Sequence, residues 1–113
     1  MEEERRKFPR FETTFPVEWV QRKKEVGKAK MVDISRHGFR LLLNFPPSPG
    51  VRMNFKIHIP GTPTLLSLKG TNVWHRPYNG QWEAGFVFKK IRSSDKSQLL
   101  DYAYSQWLKR VRE

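Results

Sequence analysis

Two short clusters in this chain hold residues suited to recognising anions and bases. The first is Arg6-Lys7-Phe8-Pro9-Arg10, an R-x-x-x-R pair preceded by Arg5. Guanidinium groups are planar forks that donate paired hydrogen bonds to phosphate or to a guanine O6/N7 edge, and they stack on base planes. Lys7 adds a point charge for a further phosphate contact. The second cluster is Asp33-Ile34-Ser35-Arg36-His37-Gly38, a D-x-S-x-x-G. A carboxylate is acceptor-only at neutral pH, so Asp33 can take both the N1-H and N2-H donors of a guanine edge. The Ser35 hydroxyl can bond a backbone group or a ligand oxygen. Gly38 permits a positive φ or a close approach of the chain to a ligand. Each cluster alone also has a plainer reading. Basic arms are commonly just solvated, and Asp33 and Ser35 can do no more than stabilise a hairpin turn.

Charge gives the clusters a setting. The 113 residues hold 22 Lys and Arg against 11 Asp and Glu, a formal net charge of +11, which favours anionic partners: nucleic acid, nucleotides or acidic lipid surfaces. Asp33 is the only acid between Glu25 and Glu83. A lone carboxylate in a basic stretch is expected to have a specific partner. Catalysis finds little support. His37, His58 and His75 lack metal-ligand spacing, and there is no G-x-S-x-G, no P-loop and no carboxylate pair with an obvious site. The absence of cysteine removes disulfides and thiolate metal sites and fits a reducing compartment. No apolar run approaches the ~20 residues of a membrane span, and Met1-Glu2-Glu3-Glu4 opens no secretory signal. The expected location is the cytoplasm.

The elements that must position the clusters are short strands. Residues 1–12 read as a basic arm without hydrophobic period, 13–92 as the barrel and 93–113 as a helix packed on it. Phe15–Val20, Lys30–Ile34, Phe39–Leu43, Phe55–Ile59, Leu66–Trp74 and Trp82–Phe88 are strand-like runs. Turn residues separate them: Pro46-Pro47-Ser48-Pro49-Gly50, Pro60-Gly61-Thr62-Pro63 and the hairpin pair Asn79-Gly80. The fold class is mainly β, a small six-stranded antiparallel β-barrel with a C-terminal α-helix. For the helix, Asp95 is the expected N-cap with Gln98 at N3, and Leu100, Ala103, Trp107 and Val111 form the stripe expected to meet the barrel. Tyr102, Tyr104 and Trp107 leave both a monomer and a dimer open.

Together the two clusters resemble the signature of the PilZ domain family, R-x-x-x-R on an N-terminal arm followed by [D/N]-x-S-x-x-G on a strand and turn. Arg6 and Arg10 fill the first motif, and Asp33, Ser35 and Gly38 fill the second. Val73-Trp74 and Gly85-Phe86-Val87-Phe88 are similar to later strands of the family. The resemblance implies a barrel that binds cyclic di-GMP on its outer surface as ligand, with no other cofactor and no metal. The arm would fold over the ligand and signal to a partner that the sequence does not identify. It implies phosphate and guanine contacts for Arg6 and Arg10, guanine recognition by Asp33 and Ser35, and turn shaping by Gly38. Arg5, placed just before R-x-x-x-R, implies two stacked ligand molecules per chain. Trp74 is either a stacking platform or a core residue; Arg36 and His37 lie within the second motif and can face the ligand. Two alternatives remain. One is a basic barrel that stacks single-stranded nucleic acid on Trp19, Trp74, Trp82 and Phe39, which needs neither motif. The other is a ligand-free scaffold of the same fold used for protein contacts.

Overall fold

The computed structural model describes residues 11–22 and 25–112. Period-2 alternation of apolar side chains builds six strands: β1 (Phe11–Arg22), β2 (Glu25–Ile34), β3 (Gly38–Leu43), β4 (Arg52–His58), β5 (Leu65–Tyr78) and β6 (Gln81–Lys90). They close an antiparallel barrel in the order β1-β2-β3-β6-β5-β4. One helix, α1 (Ser93–Arg112), follows. This is the architecture that the strand pattern predicts.

The clearest alternation is in β4, where Met53, Phe55 and Ile57 are buried and the residues between them, Lys56 included, are exposed. These side chains meet Met31, Ile34, Leu41, Leu43 and Leu68 inside the barrel. At the centre Phe39 stacks on Phe86 at 5.4 Å and meets Phe55 edge-on at 5.3 Å, geometries that suit the ring quadrupoles. Phe39 is therefore core, and its expected part in stacking bases is corrected: it lies in a strand whose odd positions all face inward. Asn79 and Gly80 take φ values of 46° and 81°, as the tight β5–β6 hairpin requires.

Two helix expectations are also corrected. α1 begins at Ser93, and the Lys96 N–H already donates to the Arg92 carbonyl at 2.9 Å, so Asp95 lies inside the first turn rather than at the cap. There its carboxylate complements the helix dipole. The buried stripe runs through Leu99 and Ala103, both 0% exposed, while Trp107 is 36% and Val111 58% exposed. The line that faces β1 continues through Gln106 and Arg110. Gln106 bonds Thr13 and the Thr14 N–H, and Arg110 bonds the Glu12 carbonyl. Of the expected stripe, Ala103 is buried, Leu100 packs on the core and the Trp107 ring lies 6.0 Å from Phe11 of β1. Val111 is thus the residue that does not meet the barrel, and the polar Gln106 and Arg110 are the docking residues an apolar pattern does not show. β1 itself begins at Phe11, two residues inside the segment read as arm, because Phe11 packs edge-on against Tyr104 at 5.4 Å.

Candidate functional site

Two β-bulges build one face on the outside of the barrel. In β2 the register passes from Met31↔Leu41 to Asp33↔Arg40, which leaves Val32 as an extra residue. Met31 and Ile34 both point into the core at 0% exposure, three positions apart, so the bulge turns Asp33 outward. In β5 the register passes from Asn72↔Phe86 to Trp74↔Gly85, with Val73 as the extra residue. The alternation of Leu66, Leu68, Gly70 and Asn72 would carry Trp74 inward. The bulge reverses this, and Trp74 is 39% exposed. Trp74 is thus on the outer wall and not in the core.

Across the strand order β2-β3-β6-β5 these residues form a single row: Asp33 opposite Arg40, Arg40 opposite Gly85, and Gly85 opposite Trp74. The Arg40 guanidinium reaches Asp33 Oδ2 at 2.8 Å and Glu83 Oε2 at 3.4 Å. Arg76 closes the chain with Nη2 and Nε at 2.8 and 2.9 Å from Glu83 Oε1. Its guanidinium carbon lies 5.9 Å from the Trp74 ring centre, a cation–π distance. Both carboxylates are almost wholly buried beneath these arginines, and the Arg40 Nε is buried with no hydrogen-bond partner among the described residues. Gly85 leaves the middle of the row bare. A methyl group there would lie 2.2 Å from Trp74 Nε1, so the indole rests directly on the β6 backbone.

The D-x-S-x-x-G turn stands at the Asp33 end of this row. The Ser35 N–H donates to the Gly38 carbonyl at 2.8 Å, and the buried Ser35 Oγ accepts the His37 N–H at 3.3 Å, which closes a serine turn. The reason for glycine at 38 is proximity to β6: a Cβ there would lie 2.0 Å from the Phe86 carbonyl oxygen. Of the two roles expected for Gly38, close approach holds, but the neighbour it meets is the chain's own backbone. Arg36 and His37 are exposed at the tip. Lys96 of α1 donates to the Arg36 carbonyl at 3.1 Å, tying the turn to the first turn of the helix.

Of the residues expected to form the site, the structure brings Asp33 and Trp74 onto one row and sets Ser35, Arg36 and Gly38 beside it. Arg5, Arg6, Lys7 and Arg10 lie outside the described residues. Arg40, Glu83, Arg76 and Gly85 were not anticipated. For Arg40 and Glu83 the signal is an ion inside an apolar run: Arg40 between Phe39 and Leu41, and Glu83 between Trp82 and Ala84. Trp19 packs on Phe45 at 4.8 Å and Trp82 on His75 at 5.4 Å, so both rings are partly engaged within the fold. Among the described residues no group of three or more His, Asp or Glu could hold a metal, and no helix is long and apolar enough to cross a membrane.

Comparison with known proteins bears on this face. The family model for the PilZ domain matches residues 4–105. A search of curated proteins finds no match. Among solved structures, the Bacillus subtilis inhibitor of motility MotI/DgrA is similar with a TM-score of 0.76 and 16% identity, covering 92% of this chain and 52% of that one. The PilZ domain of Escherichia coli YcgR, solved with c-di-GMP, gives 0.75 and 14%, covering 96% and 95%. The Klebsiella MrkH–c-di-GMP complex gives 0.73 and 15%, covering 95% and 54%. At these identities the likeness shows the fold, and this chain spans about half the length of MotI and of MrkH.

Proposed function

Because the chain belongs to the PilZ domain family, we propose that it is a cyclic di-GMP receptor that takes its ligand on the outer wall of the barrel, beside the row from Asp33 to Trp74. The observation that carries this reading is the pair of bulges at Val32 and Val73, which turn a carboxylate and an indole onto the same row across a bare glycine. Similar structures that hold c-di-GMP support it.

The chemistry divides among the residues. Asp33 reads a guanine edge, for which the Arg40 guanidinium that covers it and holds its Oδ2 at 2.8 Å moves aside as the ligand enters. Trp74 offers a stacking face of the kind worth about 1–3 kcal/mol per base. Ser35 and Gly38 hold the turn, and Arg36 at its tip adds a cation beside the ligand. The described row is itself balanced, with Asp33 and Glu83 set against Arg40 and Arg76. A dianionic ligand therefore needs charge from elsewhere, and Arg5, Arg6, Lys7 and Arg10 supply it from the arm. With Arg5 present, two stacked ligand molecules bind per chain.

The receptor acts as an adaptor and not as an enzyme. Both carboxylates of the face serve as anchors for guanidinium groups, which suits binding better than proton transfer. Closure of the arm over the ligand creates the surface that a partner reads. The chain works in the cytoplasm, to which its lack of cysteine is suited.

Isothermal titration of cyclic di-GMP into the native chain, an Arg6→Ala/Arg10→Ala variant and an Asp33→Ala variant tests the reading. Binding by the native chain at two ligands per chain, lost in both variants, is expected. Absence of binding by the native chain would leave a barrel for protein or nucleic-acid contacts. Saturation at one ligand would remove only the role of Arg5.

A further inference from the structure

A groove of about 460 Å³ opens on the β4–β5 wall where β6 ends. Its apolar lining comes from Val20, Leu68, Ile91 and the buried Phe55, and four cations surround it: Lys56, Lys69, Lys90 and Arg92. All four are exposed, and among the described residues no acid lines the groove. None of the four forms an ion pair among the described residues. The nearest acid by register is Glu18, opposite Lys56 on β1.

The arrangement of these charges is unusual for a wall that serves only solubility. Lys69 lies directly across from Lys90, a like-charge pairing that costs stability. A bulge sets it up, since the register passes from Gly70↔Phe88 to Lys69↔Lys90 with Lys89 as the extra residue. Lys56 and Arg92 then add charge at the same opening. The groove is also separate from the Asp33–Trp74 row. Ile91 is the wall it shares with a second cavity, which lies behind Arg36 and His37.

We infer that this groove is a docking site for an acidic, amphipathic segment of a partner protein, with Asp or Glu side chains on the lysines and an apolar side chain on the floor. Three features select that occupant. Three of the four cations are lysines, point charges that pair with single carboxylates, and Arg92 alone carries the planar fork that favours phosphate. Among the described residues the one aromatic ring that lines the groove, Phe55, is buried, and single-stranded nucleic acid needs exposed rings to stack its bases. The volume is that of a pocket for a few side chains, with an apolar base and a polar rim, as in protein recognition sites. The inference does not depend on cyclic di-GMP binding.

The test is fluorescence anisotropy with a labelled 12-residue synthetic peptide that alternates Glu with Leu and Phe, measured without cyclic di-GMP. A peptide of equal charge with Ser at every apolar position serves as its match. Lys69→Glu/Lys90→Glu is expected to weaken binding at least about tenfold. Lys30→Glu/Lys109→Glu, which changes net charge equally on other surfaces, is expected to weaken it less than about twofold. Lys56→Gln/Arg92→Gln provides a milder groove variant should the first fail to fold. Equal loss in the groove and control variants, equal binding of the Ser peptide, or no binding at all would overturn the assignment. So would phosphatidylglycerol vesicles or oligo(dT) binding through the groove lysines while the peptide did not.

Discussion

Trp74 lies over the bare backbone of Gly85, so close that a methyl group on Gly85 would sit 2.2 Å from the indole nitrogen. The indole is a side-chain end that can swing away, whereas the neighbour of Gly38 is the Phe86 carbonyl oxygen at 2.0 Å, which is backbone. The two glycines therefore predict losses of different size. Gly85→Ala displaces Trp74, costs less than about 1 kcal/mol, and shifts tryptophan emission to the red, a shift absent in a Trp74→Phe background. It also weakens cyclic di-GMP binding.

Gly38→Ala drives β3 from β6 and costs about 3 kcal/mol, at the upper end of overpacking penalties. Urea unfolding measures it. A cost equal to that of Gly85→Ala would show that the β3–β6 pairing yields as easily as a side chain.

Arg40 is shared by Asp33 and Glu83, and both carboxylates are nearly buried. Arg40→Met removes the shared cation and leaves two acids on one face, at a cost of about 2 kcal/mol. Asp33→Asn should recover part of that loss. A double-mutant cycle over Asp33 and Arg40 is expected to give a coupling of about 1 kcal/mol; additive losses would mean the contact carries no energy.

α1 is held by its polar line as well as by Leu99 and Ala103. Leu99→Ala opens a cavity in a fully buried site and costs about 2–4 kcal/mol. Val111→Ala, at an open position, stays within about 0.5 kcal/mol. Thermal unfolding of the two variants should separate them clearly. Gln106→Leu frees the Thr13 hydroxyl and the Thr14 N–H and lowers stability by about 1 kcal/mol.

The barrel and its six strands were legible because alternation in runs such as Arg52–His58 is a direct image of one buried face. The D-x-S-x-x-G turn was legible because its residue types each have a turn or binding role. Trp74 was not, because a bulge changes the phase of a strand and leaves no mark in composition: counted from Leu66, the tryptophan falls on the inner face. A second bulge, at Val32 in β2, places Asp33. Arg40 and Glu83 were missed because their meaning comes from pairing across β3 and β6, which lie far apart in sequence. The helix stripe was legible at Leu100, Ala103 and Trp107 but not at Gln106 and Arg110, which dock on β1 through polar groups.

The most direct test of the central claim is a ¹H–¹⁵N correlation titration of the chain with cyclic di-GMP, following the Trp74 indole N–H and the amides of residues 33–38 and 85. Large, saturable shifts at Trp74, Asp33, Ser35 and Gly85 are expected, with residues of the β4–β5 groove unmoved or following only weakly. Shifts confined to the groove or to α1, with the Trp74 indole and the D-x-S-x-x-G turn unchanged, would contradict the assignment of the outer row as the ligand site.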